Sequence, residues 1–191
     1  MGKVFDEEIV TLKADFMKLG ALVGQAVDNA GQAFIDHDSK KAEAVITNDH
    51  DINHLQIYIE KRSFEMIALY QPVTGDLREV VGILKAVTDL ERAGDHARNV
   101  AKSVIEIKGK ERISSVEEII ATMANQVSEQ YENSIESYGD ADKDKAKQTA
   151  QSYDKKIDQL YNDIAAPSYQ AMAKDPEIVS SAIIYLNVAK D

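Results

Sequence analysis

A chain of 191 residues, 44% hydrophobic and 29% charged, carries enough apolar material for a sizeable buried core, as one domain or as two small repeats. Its formal net charge of -11 is spread over both halves, so neither holds the basic stripe that a nucleic-acid backbone or an anionic membrane surface would need. The lack of cysteine excludes a disulfide scaffold, a zinc ribbon and thiol chemistry, and no run approaches the roughly 18 apolar residues of a membrane span. The expectation is a cytoplasmic protein, with no nucleic-acid partner and no direct membrane insertion.

The first predicted element is a long helix. Phe5, Ile9, Leu12, Phe16, Leu19, Val23, Ala26, Ala30 and Ala33 alternate in steps of four and three, the seam of a helical bundle. Gly20, Gly24 and Gly31 weaken it, yet they also let a neighbouring helix approach closely. Asp36, Asp38 and Ser39 form a turn, with Ser39 as the expected N-cap. A second helix runs from about 40 to 70 with Val45, Ile52, Leu55, Ile59 and Met66 on one face, until Pro72 interrupts it. A third runs from about 76 to 107. Helices of about 30 residues make rods of about 45 Å, and short turns between them demand an antiparallel bundle.

After Gly109 the pattern begins again. Val116, Ile120, Met123, Val127 and Ser134 or Ile135 mark a fourth helix that stops near residues 139–142, and a fifth helix follows, with a kink expected at Pro167. Asp154, Ile157, Asp158 and Leu160 echo Asp49, Ile52, Asn53 and Leu55 at an offset of 105, Pro176 echoes Pro72 at 104, and Leu186 to Asp191 echo Leu84 to Asp89 at 102. An internal duplication accounts for all three. The second copy reaches Asp191 where the first goes on to Leu90, Glu91 and Asp95, so the expected last helix is cut short. The expected units are residues 1–108 and 109–191.

The most distinctive stretch is QPVTGDLREVVGILKAVTDLERAGDHARNVAK, residues 71–102, whose hydrophobic stripe turns acidic. At 100° per residue Glu91 and Asp95 lie within about 20° of Leu84, so both are expected to face inward, beside Asp49 and Asn53 of the second helix. Buried carboxylates need cations, donors or water. One answer is a hard or borderline metal ion bound one turn apart by Glu91 and Asp95 with help from Asp49 or Asn53. The other is a salt-bridge network with Arg78, Arg92 or Arg98.

This stretch resembles the signature of the PhoU family of phosphate-signalling and phosphate-transport regulators. In that family a QPVAxDLR turn leads into a helix ending in DLERxGDHAxNIA, an upstream D-x-x-I-[ND]-x-L lies on the preceding helix, and the unit occurs twice. Asp49, Ile52, Asn53 and Leu55 fit the upstream element, and Asp154, Ile157, Asp158 and Leu160 repeat it; Thr74 and Gly75 depart from the turn. The resemblance implies an all-α fold of two tandem antiparallel three-helix bundles, six long helices related by a pseudo-twofold. It implies a non-enzymatic adaptor that turns down high-affinity phosphate uptake and starvation signalling when phosphate is plentiful. The implied partners are the transporter's ATP-binding subunit and a sensor histidine kinase, with a homodimer also compatible. It further implies iron or another di- or trivalent metal at Glu91 with Asp95, Asp49 with Asn53, and Asp154 with Asp158.

Other chemistries fare worse on the residues. The HDINH run around His50 and His54 replaces the Glu base of a zinc-protease helix with Asp51 and has no evident third ligand. A di-iron oxidase needs Glu-x-x-His pairs, and none of the four histidines has Glu three residues before it. No nucleophile elbow or phosphate loop appears. A metal-binding helical protein, either a metal buffer or a di-metal oxidase, is the alternative to the adaptor. The tyrosines at 131, 138, 153, 161, 169 and 185 are expected to fill core or interface.

Overall fold

The computed structural model describes residues 3–152 and 154–191, with the side chains of residues 152–155 left aside. Helices α1 (Lys3–Asp36), α2 (Ser39–Tyr70) and α3 (Thr74–Glu106) form an antiparallel bundle. The second half places α4 (Ser114–Gly139), α5 (Lys143–Ser152), α6 (Asp154–Lys174) and α7 (Val179–Lys190) against one another, with residue 153, between α5 and α6, outside the described residues. Among the described residues there is no strand.

Local chemistry sets the turns. Asp38, not Ser39, caps α2, its Oδ1 accepting from the backbone N–H of Lys40 at 2.9 Å and of Lys41 at 3.0 Å. The bend preceding it puts His37 in the left-handed region at φ 57°, which leaves Asp38 extended and free to cap while Ser39 is already helical. Asp142 does the same ahead of α5, accepting from Asp144 and Lys145. Gln71 ends α2 in the left-handed conformation with its N–H donating to Ile67 O. Pro72 then sits just before α3, as Pro176 opens the short 3-10 turn Pro176–Ile178 before α7. Helix α6 runs through Pro167 without ending, and the next residue, Ser168, donates its hydroxyl to Ile164 O at 2.7 Å.

The stripe read for α1 is the stripe it buries: Phe5, Leu12, Phe16, Leu19, Val23, Ala30 and Ala33 are buried, and Ile9 and Ala26 pack on them. The glycines of α1 serve its contact with α4. A Cβ on Gly20 would lie 2.9 Å from Ile135 Cδ1, one on Gly24 3.0 Å from Tyr131 Cε1, and one on Gly31 3.2 Å from Ala124 Cβ. Positions rise along α1 as they fall along α4, so the two helices run antiparallel along a seam of missing side chains. Tyr131 fastens that seam by donating its hydroxyl to Gly20 O at 2.8 Å.

Two clusters make the core. One lies inside the first bundle, from Phe5 to Leu90. The other is shared, with Phe34, Val45, Ala101 and Val104 of the first half packed with Val116, Ile164, Ile184 and Tyr185 of the second. The turn between residues 108 and 109 therefore divides the chain but not its core.

Candidate acidic site

Helix α3 buries a stripe rotated from the expected one. Val80, Ile83, Val87, Leu90, Gly94, Ala97, Ala101, Ser103 and Val104 are its buried residues, whereas Leu77, Leu84, Glu91 and Asp95 are half-buried. The small residues decide this. A Cβ on Gly94 would lie 3.3 Å from Ile52 Cδ1, so Gly94 makes room for the Ile52 side chain on the buried face, and the longer acidic side chains lie beside it at the rim. The inward carboxylate is instead Asp49 of α2, which is only 6% exposed.

Asp49 is held by two donors on one oxygen. Its Oδ2 accepts from Arg98 Nη1 at 2.8 Å and from Asn53 Nδ2 at 3.0 Å. The other terminal nitrogen of Arg98, Nη2, reaches Asp95 Oδ1 at 2.8 Å, so one guanidinium ties a buried carboxylate on α2 to a half-buried one on α3. Asp49 Oδ1 and Arg98 Nε are buried without a partner. Glu91 completes the stripe one turn before Asp95. Burial first, and then the negative Asp95 and Asp49, push its carboxyl above the usual range, with Arg98 pulling the other way.

The sequence thus brings Asp49, Asn53, Glu91 and Asp95 together and adds Arg98 at their centre. As folded, these residues fit a guanidinium and not a metal ion. Ligand oxygens around a hard cation converge at about 2.0–2.6 Å, whereas here the two carboxylates point at separate nitrogens of one side chain. Asn53 turns its amide N–H, not its carbonyl, toward Asp49. Among the described residues no group of three or more histidine, aspartate or glutamate side chains is arranged to hold a metal ion. In the second half Asp158 is exposed on α6, and the side chain of Asp154 lies outside the described residues.

A model of the PhoU domain matches residues 16–104 and 120–191. The chain belongs to the PhoU family. A relative from Aquifex aeolicus (strain VF5), named phosphate-specific transport system accessory protein PhoU homolog, is 34% identical over 190 residues, covering 96% of this chain and 82% of the relative. One of the same name from Clostridium acetobutylicum is 30% identical over 189 residues, 98% of this chain and 85% of the relative. The crystal structure of PhoU from Pseudomonas aeruginosa superposes with a TM-score of 0.92 at 29% identity, over 97% of this chain and 88% of that one. The phosphate transport system regulatory protein PhoU from Streptococcus pneumoniae gives 0.85 at 30%, over 97% and 86%.

This PhoU-family chain has a second polar centre, at the joint between its halves, that periodicity did not flag. Glu117 at the start of α4 takes the hydroxyl of Tyr185 at 2.7 Å, pairs with Arg112, and lies 3.3 Å from His37 Nε2. The Tyr185 hydroxyl in turn accepts the backbone N–H of Ile113 at 3.1 Å. Tyr185 is fully buried edge-on to Phe34, with ring centroids 6.2 Å apart. Its hydroxyl is pushed up to about 12, first by burial and also by its bond to Glu117. The only sequence signal was an isolated polar-tipped aromatic in the apolar run of α7. A groove of about 620 Å³ lies between α1, α3, α4, α5 and α7 among Val27, Ala97, Met123, Val127, Ala146 and Val188. Its lining is mostly apolar and includes His96 and Asp191, whose Nδ1 and Oδ1 are 3.0 Å apart.

Proposed function

We propose that this chain is a non-enzymatic, cytoplasmic adaptor of phosphate transport. In this reading it docks onto the ATP-binding subunit of a phosphate transporter, onto a sensor histidine kinase, or onto both in turn, and holds down uptake and starvation signalling when phosphate is plentiful. The carrying observation is PhoU-family membership along nearly the whole chain, with relatives named as accessory proteins of the phosphate-specific transport system. The surface agrees with a docking role: with a formal charge of -11, the bundle is steered toward a basic partner face. Among the described residues no helix is long and apolar enough to cross a membrane, so contact with a transporter runs through its soluble parts.

The test is phosphate uptake and a phosphate-regulated reporter in a strain lacking this chain, complemented with wild type or with charge reversals on exposed faces. Loss of the chain should leave uptake or the starvation response switched on in high phosphate. Partners co-purified from phosphate-grown cells should dissociate as salt rises and the Debye length falls from about 10 Å at 0.1 M to about 3 Å at 1 M. Unchanged uptake and expression, together with altered metal tolerance, would transfer the assignment to a metal buffer.

A further inference from the structure

We infer that the first-half acidic set carries its own cation: Arg98 lies between Asp49 and Asp95, one member of each pair to which the family resemblance assigns a metal, so this set closes the α2–α3 joint without metal. The inference is independent of the adaptor reading.

Three observations converge on it. The guanidinium uses separate nitrogens for the two carboxylates, Nη1 to Asp49 and Nη2 to Asp95, each at 2.8 Å, so both anions already share a cation supplied by the chain. One oxygen of the buried carboxylate, Asp49 Oδ2, already accepts two N–H donors, from Arg98 and from Asn53 at 3.0 Å, which leaves only Oδ1 without a partner. Asn53 stands where a second carboxylate would add charge, and it presents a donor, which stabilises an anion and repels a cation. A metal ion entering here would meet a fixed positive group held by two charge-assisted bonds, one of them to a carboxylate only 6% exposed. Arg98 belongs to α3 itself, three residues beyond Asp95 and on the same edge, so its local concentration beside the carboxylates is set by the fold and not by metal supply.

The measurement is equilibrium dialysis of the full chain against manganese(II) and, separately, zinc(II), with circular dichroism to establish folding. The wild type and its Asp95→Asn variant should bind the same amount, since Asp95 is already taken. Arg98→Gln, which removes the charge while keeping a polar side chain, should gain an equivalent of metal, and the gain should vanish in the Arg98→Gln/Asp95→Asn double variant. Arg98→Lys, which keeps a cation in place, should gain none. Metal should raise the melting temperature of Arg98→Gln relative to its metal-free form and leave that of the wild type unmoved. Wild-type binding that Asp95→Asn abolishes would overturn the inference. So would a folded Arg98→Gln that binds no more metal than wild type. Should Arg98→Gln not fold, the comparison of wild type with Asp95→Asn decides by itself.

Discussion

Asp49 illustrates how a residue's neighbours settle its meaning. A carboxylate this deep in a bundle is tolerable only with donors, and Arg98 and Asn53 supply them. Tyr185 is the other residue on which much depends, since its hydroxyl satisfies both the Ile113 N–H and Glu117 at the joint of the halves. Tyr185→Phe keeps the ring but leaves that N–H without its acceptor, so chemical denaturation should show a loss of about 1–3 kcal/mol at neutral pH. The pH dependence has a definite sign. In the unfolded chain a tyrosine ionises near 10, whereas folding pushes Tyr185 up to about 12. Its contribution to stability is therefore complete below about pH 10 and is lost as pH rises through about 12. The wild type should lose stability over that window more steeply than Tyr185→Phe. Equal slopes in pH-dependent denaturation would mean the hydroxyl is not held as described.

Among the elements, α1 and α4 are joined by absence of bulk. Tyr131 lies against Gly24, with 3.0 Å between its Cε1 and the place a Cβ would occupy. Gly24→Leu should force the helices apart and cost about 1–3 kcal/mol, an overpacking effect larger than the gain in helix propensity. Differential scanning calorimetry would register it; an unchanged melting temperature would show the seam to be loose. The start of α3 stores strain of a different kind. Thr74, a β-branched residue, sits at φ 50°, and glycine accepts that conformation without penalty. Thr74→Gly should therefore stabilise the chain by about 1 kcal/mol in denaturant titrations. A loss instead would indicate that the threonine side chain makes a contact outweighing its backbone strain.

For the molecule as a whole, the shared core argues for one cooperative unit. Phe34 and Val45 pack in the same cluster as Val116 and Tyr185, so separating the halves would expose apolar surface from both. Thermal unfolding followed by helical circular dichroism and by tyrosine fluorescence should give coincident transitions, and residues 1–108 expressed alone should be markedly less stable than the whole. Two separated transitions would mean that each half stands by itself. The same cohesion bears on the proposed docking: halves that share a core would meet a partner as one body, not as two modules on a tether.

What the sequence determined by itself was periodic or local. The α1 seam, the extents of α2 to α4, the break at Pro72 and the meeting of Asp49 with Glu91 and Asp95 all follow from spacing along a helix, because a 3.6-residue repeat dictates which side chains share a face. The resemblance carried by residues 71–102 supplied the family. Tertiary structure decided what spacing is blind to. The α3 stripe turned because Gly94 makes room for Ile52 of α2, a fact about a neighbouring helix's side chain. Arg98 won over Arg78 and Arg92 because only it stands opposite Asp49 across the α2–α3 contact. Asp38 displaced Ser39 as the cap once His37 took the left-handed conformation. The Glu117 and Tyr185 joint was invisible beforehand, since its members lie 68 residues apart, and no local pattern links two residues that only the packing of one half on the other brings within hydrogen-bonding distance.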